Sequence, residues 1–558
     1  MTIAASVCAL AFLVPQEPPA EPAVTPGLTF HAAPRPLAEG AVTEDWSSFL
    51  GPRRDGICRE APLRSDFGST APPLVWELER GDGFASPVVA DGRLVFTHRV
   101  GREVHVDCHD AFSGQRIWRH SFPCSYSGRY FDNDGPRATP TIAGGRVVVH
   151  GVGGRLVVLD FATGEEKWSV NTNDAMDVGR GYFGIVSSPL VVGDMIVQNF
   201  GAPPSSGGSS WGPCVGALDL ETGEPRWGAG DQWGPSCASP VLATIGGEEL
   251  WGVNTNEAMD VGRGYFGVVS SPLVVGDMVV QNFGAPPSSG GSSWGPCVGA
   301  LDLETGEPRW GAGDQWGPSC ASPVLATIGG EERILVIAGG ETRPPVGGLL
   351  ILTTEGKVTT RYPFRSRTTL SVNGPSPVPM GDSVFLTAAY NVGSAVVDVD
   401  EEGKGEERWR DRRSLALEFA TPVFVDGRIV AVDGVSGRAG ALVAIEPKSG
   451  EELIRKALTF DQEVGEGDRK RTLSTSLGKG TVMVADGHLW ALGDTGQLVT
   501  LKQGEEDFEV VSQAPLFYAA ETWTPPVICN GLLYVCQNNR GRGDGSPRRL
   551  LCYDVRGE

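Results

Sequence analysis

Tyr130-Phe-Asp-Asn-Asp-Gly-Pro-Arg137 is the most polar loop that precedes a strand-like run. Asp132, Asn133 and Asp134 offer hard oxygens suited to Ca²⁺. Arg137 offers a planar fork that can clamp a carboxylate through two hydrogen bonds. The spacing lacks the glycine at the sixth position and the glutamate at the twelfth of an EF-hand loop. The same residues suit a polar turn whose Asp and Asn side chains cap their own backbone, and that is the reading adopted. His98, His105, Cys108, His109 and His120 form a second cluster. On a strand, His105, Asp107 and His109 share one face. Zinc sites show tight Cys/His pairs at fixed spacing, so these histidines are read as packed or exposed and no metal site is expected. No Gly-x-Ser-x-Gly elbow marks an acyl-transfer nucleophile, and no Gly-x-x-x-x-Gly-Lys-Ser/Thr loop marks a phosphate site.

The elements that must position these residues are short strands. One phrase recurs as Asp110 to Trp118, Asp160 to Trp168, Asp219 to Trp227 and Asp302 to Trp310, with a degenerate form around Glu446 to Glu451. Its Asp and Ser/Thr suit an Asx-type turn, and its Gly supplies a left-handed residue. An apolar strand precedes each phrase and a Trp-bearing strand follows, so each phrase is a hairpin. A second kind of hairpin alternates with it, built on Asp-Gly, Gly-Gly, Asn-Gly or Gly-Asp between β-branched runs. These turns begin at Asp91, Gly144, Gly193, Gly246, Gly276, Gly329, Gly381, Asp426, Asp486 and Asn530. All intervals but one suit a unit of four short strands, the repeat of a β-propeller blade. Trp118, Trp168, Trp227, Trp310 and Trp409 occupy equivalent places and are assigned to packing between blades. Trp523 falls outside this series and is a candidate to line the central channel, as are Trp233 and Trp316.

The odd interval lies between Gly246 and Gly276. Residues 168–249 recur as 251–332 with four differences: Ser169/Gly252, Asp174/Glu257, Ile185/Val268 and Ile196/Val279. The copy joins out of phase and adds one whole blade and a stunted one. The expected fold is therefore all-β: an eight-bladed propeller of four-stranded blades carrying an extra, near-identical segment of about 1.5 blades. Such a copy is expected to pack poorly, or to strain or split the ring at Glu248 to Val253. The last unit supplies three strands, and Pro73 to Glu79, with Trp76, is expected to complete it and hide two sheet edges.

Composition narrows the function. With 46 Lys plus Arg against 68 Asp plus Glu, the net charge of 558 residues is −22. That weighs against a nucleic-acid partner, which needs a basic stripe, and against docking on anionic lipid. The 77 glycines and 41 prolines suit a turn-rich chain, and 40% hydrophobic residues suffice for a core. The apolar run Ile3 to Val14 is too short to span a bilayer and reads as an export signal over residues 1–14. Residues 15–40 read as a Pro/Ala-rich linker, 41–72 as an N-terminal extension and 73–558 as the propeller. Eleven cysteines do not make a disulfide scaffold.

The Asp-x-x-Thr-Gly-x-x-x-Trp phrase, with Ser86-Pro-Val-Val-Ala-Asp-Gly-Arg-Leu-Val95 before it, resembles the repeat of pyrroloquinoline-quinone (PQQ)-like propellers. Asp45-Trp-Ser-Ser-Phe-Leu-Gly-Pro-Arg-Arg-Asp-Gly56 resembles the N-terminal motif of secreted members in planctomycete-type bacteria. The resemblance covers residue 45 to the C-terminus. It implies two functional kinds: quinoprotein dehydrogenases, which hold PQQ and Ca²⁺ in the channel, and non-catalytic propellers such as the BamB-like scaffold of outer-membrane barrel assembly. The alcohol dehydrogenases carry adjacent cysteines against the cofactor, and this chain has none. The expectation is a non-catalytic, extracytoplasmic (periplasmic or secreted) binding or scaffold protein with no cofactor. Its surface would be one end of the ring, holding a protein or a saccharide-like ligand, with no nucleic acid and no transmembrane segment in the mature chain. The alternative is a PQQ- and Ca²⁺-dependent dehydrogenase of alcohols or sugars. Under it, Asp132, Asn133, Asp134, Arg137 and Trp523 are the cofactor-binding candidates.

Overall fold

The computed structural model describes residues 25–128, 133–172, 184–199, 215–229, 244–245, 248–249, 252–253, 272–282, 296–313, 316, 319, 321–339, 345–368, 371, 373–413, 415–418, 420–434, 440–464 and 470–558. Their strands assemble into nine blade sheets, each with a four-stranded antiparallel core. In chain order the blades occupy residues 88–123, 141–171, 190–229, 273–312, 324–363, 378–411, 423–457 and 481–515. The ninth combines residues 527–554 with Leu74–Glu79. First strands approach one another between blades 1, 2 and 3, between 4 and 5, and between 6, 7 and 8. They form the inner wall.

The closing strand is legible in its side chains. Leu74–Glu79 pairs antiparallel with Arg549–Asp554, placing Trp76 opposite Cys552. Leu28–Phe30 adds a fifth strand outside it, pairing Phe30 with Trp76. The Asp-Gly and Asn-Gly turns at Asp91, Asp426, Asp486 and Asn530 have positive φ at both positions, as a type I′ turn between strands requires. In the second hairpin of each early blade, Asp110, Asp160, Asp219 and Asp302 accept the N–H groups of the second and third residues after them. The following glycine, at φ 71–75°, then lets the chain turn without a Cβ clash.

The tryptophan series joins each blade to the next. Indole N–H groups of Trp76, Trp118, Trp168, Trp227, Trp310 and Trp409 donate to Ala111, Phe161, Leu220, Leu303, Thr354 and Pro447 of the following blade, at 2.8–3.1 Å. Each ring lies against the turn glycine of that blade. A Cβ on Gly164, Gly223 or Gly306 would meet Trp118, Trp168 or Trp227 within 2.6 Å.

The ring has nine blades, where the repeat arithmetic gave eight. The duplicated segment forms a blade of its own, 273–312, instead of packing poorly. Blades 3 and 4 share a core containing Met195, Val197, Trp227, Val279 and Leu301. Blades 4 and 5 share another containing Val280, Val298, Ile334 and Leu350. Shared cores continue through every other pair of neighbours back to blade 9. The blades on either side of Glu248 to Val253 are joined by a shared core, so among the described residues the expected split of the ring is not seen. The out-of-phase remnant there is a two-stranded pair, Thr244–Ile245 with Glu248–Glu249, and Gly252–Val253 lies parallel to the outer strand of blade 3. The physical reason is that the copy carries both blade-facing surfaces of its parent. A near-identical blade offers its neighbours the partners they already fit.

Candidate functional site

Within an antiparallel blade, the two hairpin turns leave one end of the ring. The second-to-third connections and the crossovers between blades leave the other. The predicted site residues that the structure describes belong to crossovers. Asn133, Asp134 and Arg137 lie between blades 1 and 2, and Trp523 lies between blades 8 and 9. Asp132 lies outside the described residues.

The fold brings these distant segments together. Asn133, 1% exposed, donates from Nδ2 to the Asn538 carbonyl at 3.1 Å. Asn538, fully buried, donates to Thr524 Oγ1 at 2.8 Å and to the Gly83 carbonyl at 3.0 Å. Thr524 Oγ1 in turn donates to the Phe84 carbonyl at 2.8 Å. The Phe84 ring stacks on Trp523, centroids 5.6 Å apart, and its N–H donates to Pro136. One network therefore ties three crossovers together at this mouth. Trp523 remains 41% exposed. Glu521, with φ 58°, accepts the Trp523 N–H through its carbonyl, so a strained turn holds the indole in place.

The polar side chains of the loop work inward. Asn133 Oδ1 accepts the Gly135 N–H, and Asp134 Oδ1 accepts the Gly128 N–H at 2.7 Å. Arg137 donates to the carbonyls of Gly135 and Asn133 and covers the Tyr126 ring at 5.5 Å. Burial lowers its pKa. These are the contacts of a loop closing on itself.

Four of the five clustered histidine-blade residues are packed into blade 1. Asp107, 1% exposed, takes two 2.6 Å hydrogen bonds from Arg119 and one of 3.1 Å from His98 Nε2. His98 Nδ1 accepts the Gly81 N–H at 2.8 Å, which fixes His98 as the Nε2–H tautomer. His109 Nδ1 meets the Gly114 carbonyl and His105 Nδ1 meets Ser121 Oγ. Cys108 is buried, and burial pushes its thiol up to about 12. Among the described residues no three His, Cys, Asp or Glu side chains converge as metal ligands.

Sequence reasoning missed where the N-terminal extension goes. Trp46 pairs with Val89 on the inner strand of blade 1. Ser47 accepts the Ile142 N–H of blade 2, and Arg54 donates to Pro189 beside blade 3. Ile57–Cys58 adds in parallel to the channel-facing edge of blade 8, opposite Val484 and Ala485. Glu60, 1% exposed, accepts N–H groups from Glu44, Asn530 and Gly531 at 2.7–3.0 Å. The extension thus lines the inner strands of blades 1, 2 and 8 and reaches the crossover before blade 3 and the Asn530 turn of blade 9. Gly51, at φ 85°, passes over the Trp46 ring so closely that a Cβ would lie 3.2 Å from it. That contact explains the Trp-and-Gly spacing of the motif. Asn538, Thr524 and Phe84 were missed too. A signal for the crossovers was present: Ser/Thr-Pro precedes many inner strands. Its hydroxyls link neighbouring blades, as in Ser86 to Thr139 and Thr139 to Ser188.

Comparison with known proteins adds three findings. The sequence model of a family described as outer membrane protein assembly factor BamB matches residues 68–232 and 296–477, well over half of the chain. The quinohemoprotein alcohol dehydrogenase of Comamonas testosteroni is 27% identical over 299 residues, 47% of this chain and 39% of the relative. The chain therefore spans about two-fifths of the length of that relative. Among solved structures, quinohemoprotein alcohol dehydrogenase ADHIIG of Pseudomonas putida HK5 superposes with a TM-score of 0.54 at 16% identity, covering 92% of this chain and 80% of the other. The Comamonas testosteroni enzyme gives 0.52 at 16% identity over 92% and 81%. At such identities the likeness is one of fold.

Proposed function

The chain belongs to the family described as outer membrane protein assembly factor BamB, and from that premise we propose that it is an extracytoplasmic, non-catalytic propeller that binds a protein or saccharide-like ligand at its crossover mouth. One observation carries this reading. At that mouth Asn133, Asp134 and Arg137 make hydrogen bonds to the protein itself, while Trp523 stands 41% exposed on Phe84. A broad aromatic face on a braced support suits contact with a partner or a sugar ring. Among the described residues no helix is long and apolar enough to cross a membrane.

The dehydrogenase likeness supports a second reading, with PQQ and Ca²⁺ in the channel. PQQ would supply the two-electron oxidation there. Trp523 has a face for a planar ring. Asn133 Oδ1 and Asp134 Oδ1 already accept backbone N–H groups, and Arg137 is spent on carbonyls. Holding a polycarboxylate there would ask Arg137 to share donors already given to these carbonyls.

Titrating the purified chain with PQQ in the presence of Ca²⁺, followed by tryptophan fluorescence, separates the two. The binding-protein reading expects a flat titration on folded protein, and capture of an envelope partner or glycan that Trp523→Ala abolishes. Saturable quenching that disappears when Ca²⁺ is chelated would overturn it in favour of the dehydrogenase.

A further inference from the structure

Three described arginines near the closing seam have their guanidinium groups matched. Arg99, 9% exposed, donates to the carbonyls of Gly101, Tyr126, Asp134 and Cys124. Arg548 holds Asp82 at 2.9 Å, and Arg119 holds Asp107. Arg80 differs. It follows the closing strand, at the seam between blades 9 and 1, and is 7% exposed. Its side chain makes one long hydrogen bond, Nη2 to the Thr97 carbonyl at 3.4 Å. Nε and Nη1 have no acceptor, and the buried hydroxyl of Thr97 has no partner either.

The charge of Arg80 is matched only through space, by a pull that works to lower the pKa of Asp82 against the larger upward effect of burial. It forms no ion pair among the described residues, because the nearby carboxylates Asp82 and Asp107 are held by other arginines. The Phe96 ring lies 5.8 Å from the guanidinium carbon, and a ring face attracts a cation without neutralising it. The Cys536 thiol lies within reach of the Arg80 guanidinium, which draws the thiol pKa down, but burial outweighs that pull and keeps the thiol neutral. A buried charge without a contacting partner is among the least favourable features a fold can hold. A water molecule would match the hydrogen bonds and leave the charge.

We propose that Arg80 and Thr97 form an internal site for a small inorganic anion of chloride size, which locks the closing seam of the ring. The unmatched groups are N–H and O–H donors, and a guanidinium has no acceptor to offer a cation. The roof is close: a Cβ on Gly83 would lie 2.8 Å from Arg80 Nη2. A single-atom ion fits beneath such a roof better than a carboxylate or phosphate group. The site is independent of what the mouth binds.

Two measurements on the full chain test this. Crystals grown in bromide should show an anomalous peak at Arg80 and Thr97. Thermal unfolding at constant ionic strength, in chloride against gluconate, should give a Tm about 2–3 °C higher in chloride at about 100-fold above the dissociation constant. Constant ionic strength removes the general screening of a chain of net charge −22. Arg80→Met should abolish the difference. Should that variant not fold, Thr97→Val keeps the guanidinium and should weaken the halide response. A blank anomalous map at this seam, or a chloride effect that survives Arg80→Met, overturns the proposal, the first leaving a buried water as the occupant.

Discussion

Asp107 is a carboxylate withdrawn from water and kept charged by its neighbours. Burial alone would raise its pKa, but hydrogen bonds from Arg119 and His98, with His109 3.7 Å away, outweigh that and hold it far below the usual carboxylate range. A depressed folded pKa contributes stability above the unfolded value of about 4, and that contribution is lost as pH falls below it. Asp107→Asn should therefore cost about 2–3 kcal/mol at pH 7, discounted from a fully buried pair because Arg119 is partly exposed. The cost should shrink towards about pH 3, as read by urea unfolding at the two pH values. Equal loss at both would contradict the assignment. Trp227 gives a second test at this scale. It is 1% exposed and bridges the duplicated blades through Leu303. Trp227→Phe removes one hydrogen bond, worth about 1 kcal/mol, whereas Trp227→Ala should cost about 3–5 kcal/mol. Near-equal losses would show that the indole N–H, not the ring, carries the contact.

At the scale of elements, the N-terminal extension acts as part of the inner wall, and Glu60 anchors it. Burial raises the Glu60 pKa while the backbone N–H groups of Gly531, Glu44 and Asn530 lower it; the net shift is upward. Glu60→Ala leaves three N–H groups without their acceptor, each a loss of about 1 kcal/mol or more. The expected destabilisation is about 2–4 kcal/mol by denaturant unfolding. Protease sensitivity should appear first between residues 41 and 60, and unchanged sensitivity there would refute the anchoring role. The hairpins were legible because a type I′ turn leaves a local signature. The pairing of Ile57–Cys58 with blade 8 was not, because its partners lie over 420 residues away and nothing local marks an added edge strand.

At the scale of the molecule, the duplication sets the blade number. Residues 190–229 and 273–312 present nearly the same surfaces to their neighbours. Deleting residues 250–332 joins Glu249 to Arg333 and recreates the register of Glu332 with Arg333. Trp227 would then meet the turn at Gly356 that Trp310 meets now. We expect this shortened chain to fold as an eight-bladed ring of closely similar Tm, with one cooperative transition. Failure to fold would mean that the curvature of the ring depends on nine blades.

The sequence by itself determined the blade, its two turn types, the tryptophan that fastens each blade to the next and the closing strand, because each is encoded within a few dozen residues. It also marked the Asn133 loop and Trp523 as residues of interest. Tertiary structure alone decided that nine blades close, since closure sums small rotations between surfaces that no local pattern reports. It alone joined Asn133 to Trp523 through Asn538, Thr524 and Phe84. It alone set the charge balance at Arg80, because whether a carboxylate is free to pair depends on which arginine reaches it first in space.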